Sequence, residues 1–256
     1  MNSVGDLELR YKEHEQLGEG RFGSVFAGVR ISDQQPVAIK HIMAEHVAFT
    51  RVSIKNEVFT VPSEVVLMTR AAPDQHSVGG NPSVTLLDWY LQDEGHKVIL
   101  VMERPTPSQD LLRYHRKNAP LTEAHAKELI RQVVNALVDL HSKGVFHRDI
   151  KMGNLLVQAT ESGPRIRVID FGCGSGDQSG RFYRNTGMCT LLRPSGLKDT
   201  ALVLPQCGRR GRYFMNFCAL KVPNQCSDFL QACLTLDPNN RIPLDQLSHH
   251  PWLSLV

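Results

Sequence analysis

The sequence predicts an α+β fold in two lobes, a small β-rich one followed by a larger helical one. Three observations carry that expectation. Tyr11 to Met102 alternates short apolar runs with turns such as Asp93-Glu94-Gly95, as strands joined by hairpins do. Thr122 to Ser142 instead repeats its apolar residues at helical spacing. Between them Glu103-Arg104-Pro105-Thr106-Pro107 interrupts both patterns, and two prolines stiffen it into a natural boundary.

Tyr11 to Val29 reads as a strand, a glycine turn and a second strand. Leu17-Gly18-Glu19-Gly20-Arg21-Phe22-Gly23-Ser24-Val25 carries the pattern G-x-G-x-x-G-x-V. Glycine lets a backbone approach phosphates with no side chain in the way. A dinucleotide-binding fold would need a helix after this turn, and Ser24 to Val29 looks like strand. Val37-Ala38-Ile39-Lys40 is the next strand. Taken alone, Lys40 is as readily a solvated lysine as a phosphate ligand. A phosphate-gripping lysine needs a carboxylate on a neighbouring helix. Pro62-Ser63-Glu64-Val65-Val66-Leu67-Met68 starts one, with proline near its N-terminus. Glu64 is the candidate partner, and Glu57 is the alternative.

Val84 to Tyr90 and Lys97 to Met102 supply two further strands. In the linker Pro105 has no backbone N–H. If this segment borders a purine base, the Glu103 carbonyl remains to accept from its amino group. Thr122 is the expected N-cap of the long helix, Leu129, Val133, Leu137 and Leu140 form its core stripe, and Gly144 ends it. Leu155-Leu156-Val157 and Ile166-Arg167-Val168-Ile169 make a strand pair that delivers Asn154 and Asp170 to one place.

The chemistry concentrates in His147-Arg148-Asp149-Ile150-Lys151-Met152-Gly153-Asn154 and in Asp170-Phe171-Gly172. Phosphoryl transfer needs a carboxylate to orient and accept the hydroxyl proton, a cation at the transferring phosphate and an amide for metal. This loop resembles the catalytic loop of eukaryotic protein kinases. Val37-Ala38-Ile39-Lys40-His41, Leu86-Leu87-Asp88-Trp89 and Glu-Arg-Pro-x-Pro-x-Gln-Asp-Leu from Glu103 to Leu111 narrow the resemblance to the Pim family of serine/threonine kinases.

The resemblance runs from about Tyr11 to Gly172 and resumes from about Pro223 to Leu253. It implies a kinase domain over 11–253, divided into lobes at 11–104 and 105–253. It implies ATP with Mg2+, transfer to protein serine or threonine, Asp149 as base, and Lys151 and Lys40 on phosphate charge. Asn154 and Asp170 would hold the metal. Glycine-loop residues 17–25 and Glu103 would hold the nucleotide, and Leu17, Val25, Ala38 and Leu156 would surround adenine. Each of these apolar residues is equally at home in an ordinary core.

Totals narrow the class further. The chain has 256 residues, 41% hydrophobic, with a formal charge of +3. It has no basic stripe and no apolar run of membrane-spanning length, so neither nucleic acid nor membrane is an expected partner. Met1 to Arg10 lacks the apolar core of a signal peptide. All six cysteines lie at or after Cys173 and none forms C-x-x-C, which suits reduced thiols in a cytoplasmic or nuclear protein. A monomer is expected. Ser227 to Leu234 is an amphipathic helix, Leu236 to Arg241 and His250-Pro251-Trp252 look like the closing part of a kinase domain, and His249 and His250 are surface residues.

The resemblance also breaks. Related kinases carry an acid just before the catalytic asparagine, where this chain has Gly153. Pim kinases carry one three residues past the linker aspartate, where this chain has Arg113. The family's preference for arginine-rich targets is therefore not expected here. Gly174 to Leu220 contains neither A-P-E nor P-P-E, nor a D/V-x-W-S-x-G helix. Asp170 to Arg241 is roughly two dozen residues shorter than the family pattern implies.

Back-translated with suitable synonymous codons and read one frame over, Leu192 to Lys198 gives P-P-E-W-I-K. Gln206 to Phe217 in the same frame gives V-W-S-S-G-A-L-L-Y-E-L. A frame shift or misjoined exon is thus the favoured origin of this stretch. Three functions compete: an active kinase, a nucleotide-binding pseudokinase or scaffold, and a frame-shifted conceptual translation. Residues 174–220 are expected to be irregular, with Arg241 lacking its ion-pair partner.

Overall fold

A computed structural model describes residues 4–20, 23–72, 81–176, 228–229, 231–233 and 242–254. The chain forms two compact units, Met1–Pro107 and Ser108–Val256. The boundary expected after Arg104 falls after Pro107, because Ser108–Asp110 already pairs as a strand with the second unit.

The first unit is built on a five-stranded antiparallel sheet. Its strands are β1 (Tyr11–Gly20), β2 (Gly23–Arg30), β3 (Pro36–Met43), β6 (Leu86–Gln92) and β7 (Lys97–Glu103), in the order β1-β2-β3-β7-β6. Side chains alternate across a strand, so β3 points Val37 and Ile39 one way and Ala38, Lys40 and Ile42 the other. Val37 and Ile39 join Tyr11, Tyr90, Ile99 and Val101 in one core, against which Leu7 of α1 (Val4–Arg10) packs. On the opposite face Ile42 packs with Val98, Leu100 and Val65, the last from α2 (Ser63–Ala71). Lys40 therefore faces the side of the sheet on which α2 lies.

Between β3 and α2 the chain forms a separate hairpin, β4 (Phe49–Ile54) with β5 (Glu57–Pro62). Lys55 and Asn56 both take positive φ, 49° and 66°, the left-handed pair that two-residue hairpin turns require. Pro62 is the N-cap of α2 rather than its first helical residue.

The second unit opens with β8 (Ser108–Asp110) and α3 (Leu111–Asn118), capped by the Asp110 carboxylate, which accepts from Arg113 N. The long α4 (Glu123–Ser142) follows, with the Thr122 hydroxyl accepting from His125 N at its start. Leu129, Val133, Leu137 and Leu140 are all buried. The helix stops at Gly144, whose φ of 67° costs a residue without Cβ little, and whose N–H donates to the His141 carbonyl. β9 (Val145–Phe146) leads into the catalytic-loop sequence.

After a 3-10 turn at Met152–Asn154, β10 (Leu155–Thr160) pairs on one side with β11 (Gly163–Val168) and on the other with β8. The irregularity expected from Gly174 onward does not begin there. Gly174 N donates to the Phe171 carbonyl, and β12 (Ser175–Gly176) pairs with β9. The remainder of 174–220, and Arg241, lie outside the described residues. In α5 (Leu244–Leu247) and α6 (Pro251–Ser254), Leu247 and Trp252 are buried. Phe229 stacks on Trp252, with centroids 4.8 Å apart, and the Trp252 indole donates to Glu123 Oε1 of α4. His249 is exposed and His250 half-buried.

Candidate active site

In the first unit, Lys40 Nζ donates to both carboxylate oxygens of Glu64, at 2.9 and 3.1 Å. Both residues are buried, at 8% and 6% exposure, so the two charges neutralise one another where water is scarce. Strand alternation and the position of α2 make the contact. Glu57, the other candidate, lies exposed in β5.

Val25 pairs with Lys40 across β2 and β3, and Ala27 with Ala38. Val25 and Ala38 are half-buried and Leu17 is 49% exposed, so these apolar side chains are not spent in the core. Gly18, Glu19 and Gly20 close the end of β1 and pair with Val25, Ser24 and Gly23 in turn. A Cβ at Gly23 would sit 1.8 Å from the His41 carbonyl oxygen, so only glycine fits this hairpin packing. A Cβ at Gly18 would meet nothing within 4 Å. Arg21 and Phe22 lie outside the described residues. Glu103 ends β7, where its N–H donates to the Thr85 carbonyl and its side chain accepts from Thr85 N.

In the second unit the catalytic-loop residues converge. Asp149 Oδ2 accepts from Lys151 Nζ at 2.6 Å and from Asn154 Nδ2 at 3.1 Å. The Asn154 amide also donates to the Asp149 carbonyl at 2.8 Å. One carboxylate oxygen is thereby clamped, while Oδ1 has no hydrogen-bond donor among the described residues. A general base needs this arrangement, a fixed side chain with one oxygen left for an incoming hydroxyl.

Asn154 spends its amide nitrogen on Asp149, which leaves its carbonyl oxygen for a cation. Its backbone carbonyl accepts from Ile169 N at 3.0 Å, which ties it to the residue before Asp170. An amide oxygen and a carboxylate are hard donors. A divalent metal that also takes phosphate oxygens needs only one or two of them from protein, so these residues fit such an ion. Arg148 and Asp170 both have φ of 67°, a costly conformation for residues with a Cβ and one that collects at functional sites. Leu156 is half-buried in β10, opposite Asp110 of β8.

His147 belongs to the loop motif, but sequence reasoning gave it no role of its own. It is 1% exposed and stacks on Phe171, with centroids 4.9 Å apart. Nε2 donates to the Ile169 carbonyl at 2.9 Å, and Nδ1 accepts from Asp149 N at 3.3 Å. A neutral imidazole therefore joins the Asp149 loop to the segment after β11 that carries Asp170. Burial pushes its pKa down, against the opposing pull of the Ile169 hydrogen bond and the Asp170 and Asp149 charges. A histidine beside the catalytic aspartate was the available signal. Its partner lies 22 positions away, which spacing alone does not reveal.

The Lys40–Glu64 pair of the first unit and the Asp149 loop of the second are each of the protein kinase type. The protein kinase domain family matches residues 11–192. Serine/threonine-protein kinase pim-2 of Danio rerio is 31% identical over 274 residues, spanning 98% of this chain and 87% of that protein. Serine/threonine-protein kinase prk-2 of Caenorhabditis elegans is 27% identical, spanning 96% of this chain and 59% of that protein. Calcium/calmodulin-dependent protein kinase type 1 of the same nematode is 27% identical over 97% of this chain. The chain belongs to the protein kinase family and, within it, is a Pim-like kinase.

Proposed function

We infer that this chain is a serine/threonine protein kinase that transfers the γ-phosphoryl group of ATP to hydroxyls of protein substrates. The observation that carries the reading is the state of Asp149, with Oδ2 held by Lys151 and Asn154 and Oδ1 left for a substrate hydroxyl. Asp149 orients that hydroxyl and accepts its proton as the new O–P bond forms and the bond to the leaving ADP oxygen breaks. Lys151 donates to the Asp149 carboxylate and places a cation beside the transferring phosphate. Lys40, preset by Glu64, binds the α- and β-phosphates. Leu17, Val25 and Ala38 of the first unit and Leu156 of the second are the apolar residues that the family resemblance assigns to adenine.

Magnesium is the proposed metal, held by Asn154 and Asp170, and when bound it neutralises charge on the phosphates. Cytoplasmic residence, with access to the nucleus, and a monomeric state complete the proposal. The location rests on the six cysteines, none of which stands in C-x-x-C spacing. The test is transfer of labelled phosphate from ATP to a degenerate peptide library by the purified chain, followed by phosphoamino-acid analysis. Phosphoserine and phosphothreonine are expected, and label on tyrosine alone would overturn the acceptor assignment.

A further inference from the structure

The exposed edge of the second unit beside the catalytic turn is cationic. α3 packs against the 3-10 turn Met152–Asn154 that carries the catalytic asparagine. The helix has no acid in its first turn and carries Arg113 there, followed by Arg116 and Lys117 in its last turn. Basic residues at the end of a helix suit its dipole, but an arginine in the first turn opposes it. Arg113 is exposed, and its guanidinium makes no hydrogen bond or ion pair among the described residues.

Several acids of the second unit are engaged. Asp110 Oδ1 caps the helix by accepting from Arg113 N, Asp149 Oδ2 is clamped by Lys151 and Asn154, and Glu123 accepts from Trp252. Gly153, on the turn itself, is exposed and has open space where a Cβ would stand. The helix is also held firmly, since Tyr114 and His125 of α4 share a hydrogen bond at 2.9 Å.

We propose that Arg113 is a specificity-determining residue that selects substrate segments with an acidic side chain flanking the acceptor hydroxyl. The inference rests on the kinase function above. A cation placed against helix polarity, on a rigid element beside the catalytic turn and without an ionic partner among the described residues, is positioned to meet an external carboxylate. Gly153 leaves the room for that segment to approach.

The test compares kcat/KM of the full chain on three serine peptides that differ only in flanking Glu, Ala or Arg. One exposed ion pair supplies about two- to fivefold. Wild type should prefer the acidic peptide to the neutral one by that factor, and the preference should shrink as salt is raised. Arg113→Glu should reverse the order, with a swing of about tenfold in the acidic-to-basic ratio, while Arg113→Lys keeps it. Glutamate at this position follows an Asp cap in capping-box register, so the variant retains its helix. Transfer to the neutral peptide with a preference for arginine, or an Arg113→Glu ratio equal to wild type, overturns the specificity and leaves the kinase function standing. No transfer to any peptide overturns both.

Discussion

His147 carries a proton-linked consequence. Its folded-state pKa lies below that of an exposed histidine, chiefly because the buried site penalises the charged ring. The Ile169 carbonyl, Asp170 and Asp149 pull the other way, and Lys151 adds to the lowering. His141 is lowered by burial too. Well above about pH 6.5 these rings are neutral in both folded and unfolded chains and contribute no slope. As pH falls below that value, the unfolded chain binds protons that the folded one refuses, so stability decreases until the lowered folded pKa is reached. Melting temperature should accordingly fall between pH 7 and 5.5, and His147→Gln should flatten part of that slope. Equal slopes in the variant and wild type would show that His147 titrates normally. The identity of the loop residues was legible in the sequence. The tautomer of His147 and its bridge to Ile169 were not, because they depend on a contact between segments distant in the chain.

At the scale of elements, the clasp between β3 and α2 decides whether the first unit is assembled for phosphate binding. The V-A-I-K strand and the helix after Pro62 were both readable from pattern, but the sequence left Glu57 and Glu64 as rival partners. The β4–β5 hairpin resolves them by carrying Glu57 away as an exposed strand residue. That hairpin and α1 went unforeseen. The turn is Lys55-Asn56 rather than a glycine-containing pair, and α1 is seven residues long, too short for a helical period to stand out. Glu64→Ala removes one partner of a buried ion pair. It should cost about 3–5 kcal/mol, read by urea unfolding, and weaken ATP-dependent stabilisation of the fold. A loss below about 1 kcal/mol would mean that water or another group takes over the lysine.

For the whole molecule, the family match runs past Gly172, where the sequence pattern was expected to break, and covers residues 11–192. The alignment to the Danio rerio kinase runs over 274 positions, more than the 256 residues of this chain, so that relative has segments this chain lacks. The family match ends at Leu192, the residue from which the shifted reading frame yields P-P-E-W-I-K. Genomic reads across codons 172–224 should therefore show a one-frame displacement or a misplaced exon junction. An intact frame encoding the printed residues would instead make this stretch a real divergence of the lineage.

The central claim is that Asp149 performs the transfer in a chain that binds ATP through separate groups. The direct measurement pairs phosphotransfer with ATP-induced thermal shift in wild type and Asp149→Asn. Asparagine keeps the size and the contact to Lys151 while removing the proton acceptor, so turnover should drop by about 10²–10⁴. The thermal shift given by ATP and magnesium should be retained. Full activity in Asp149→Asn would contradict the account.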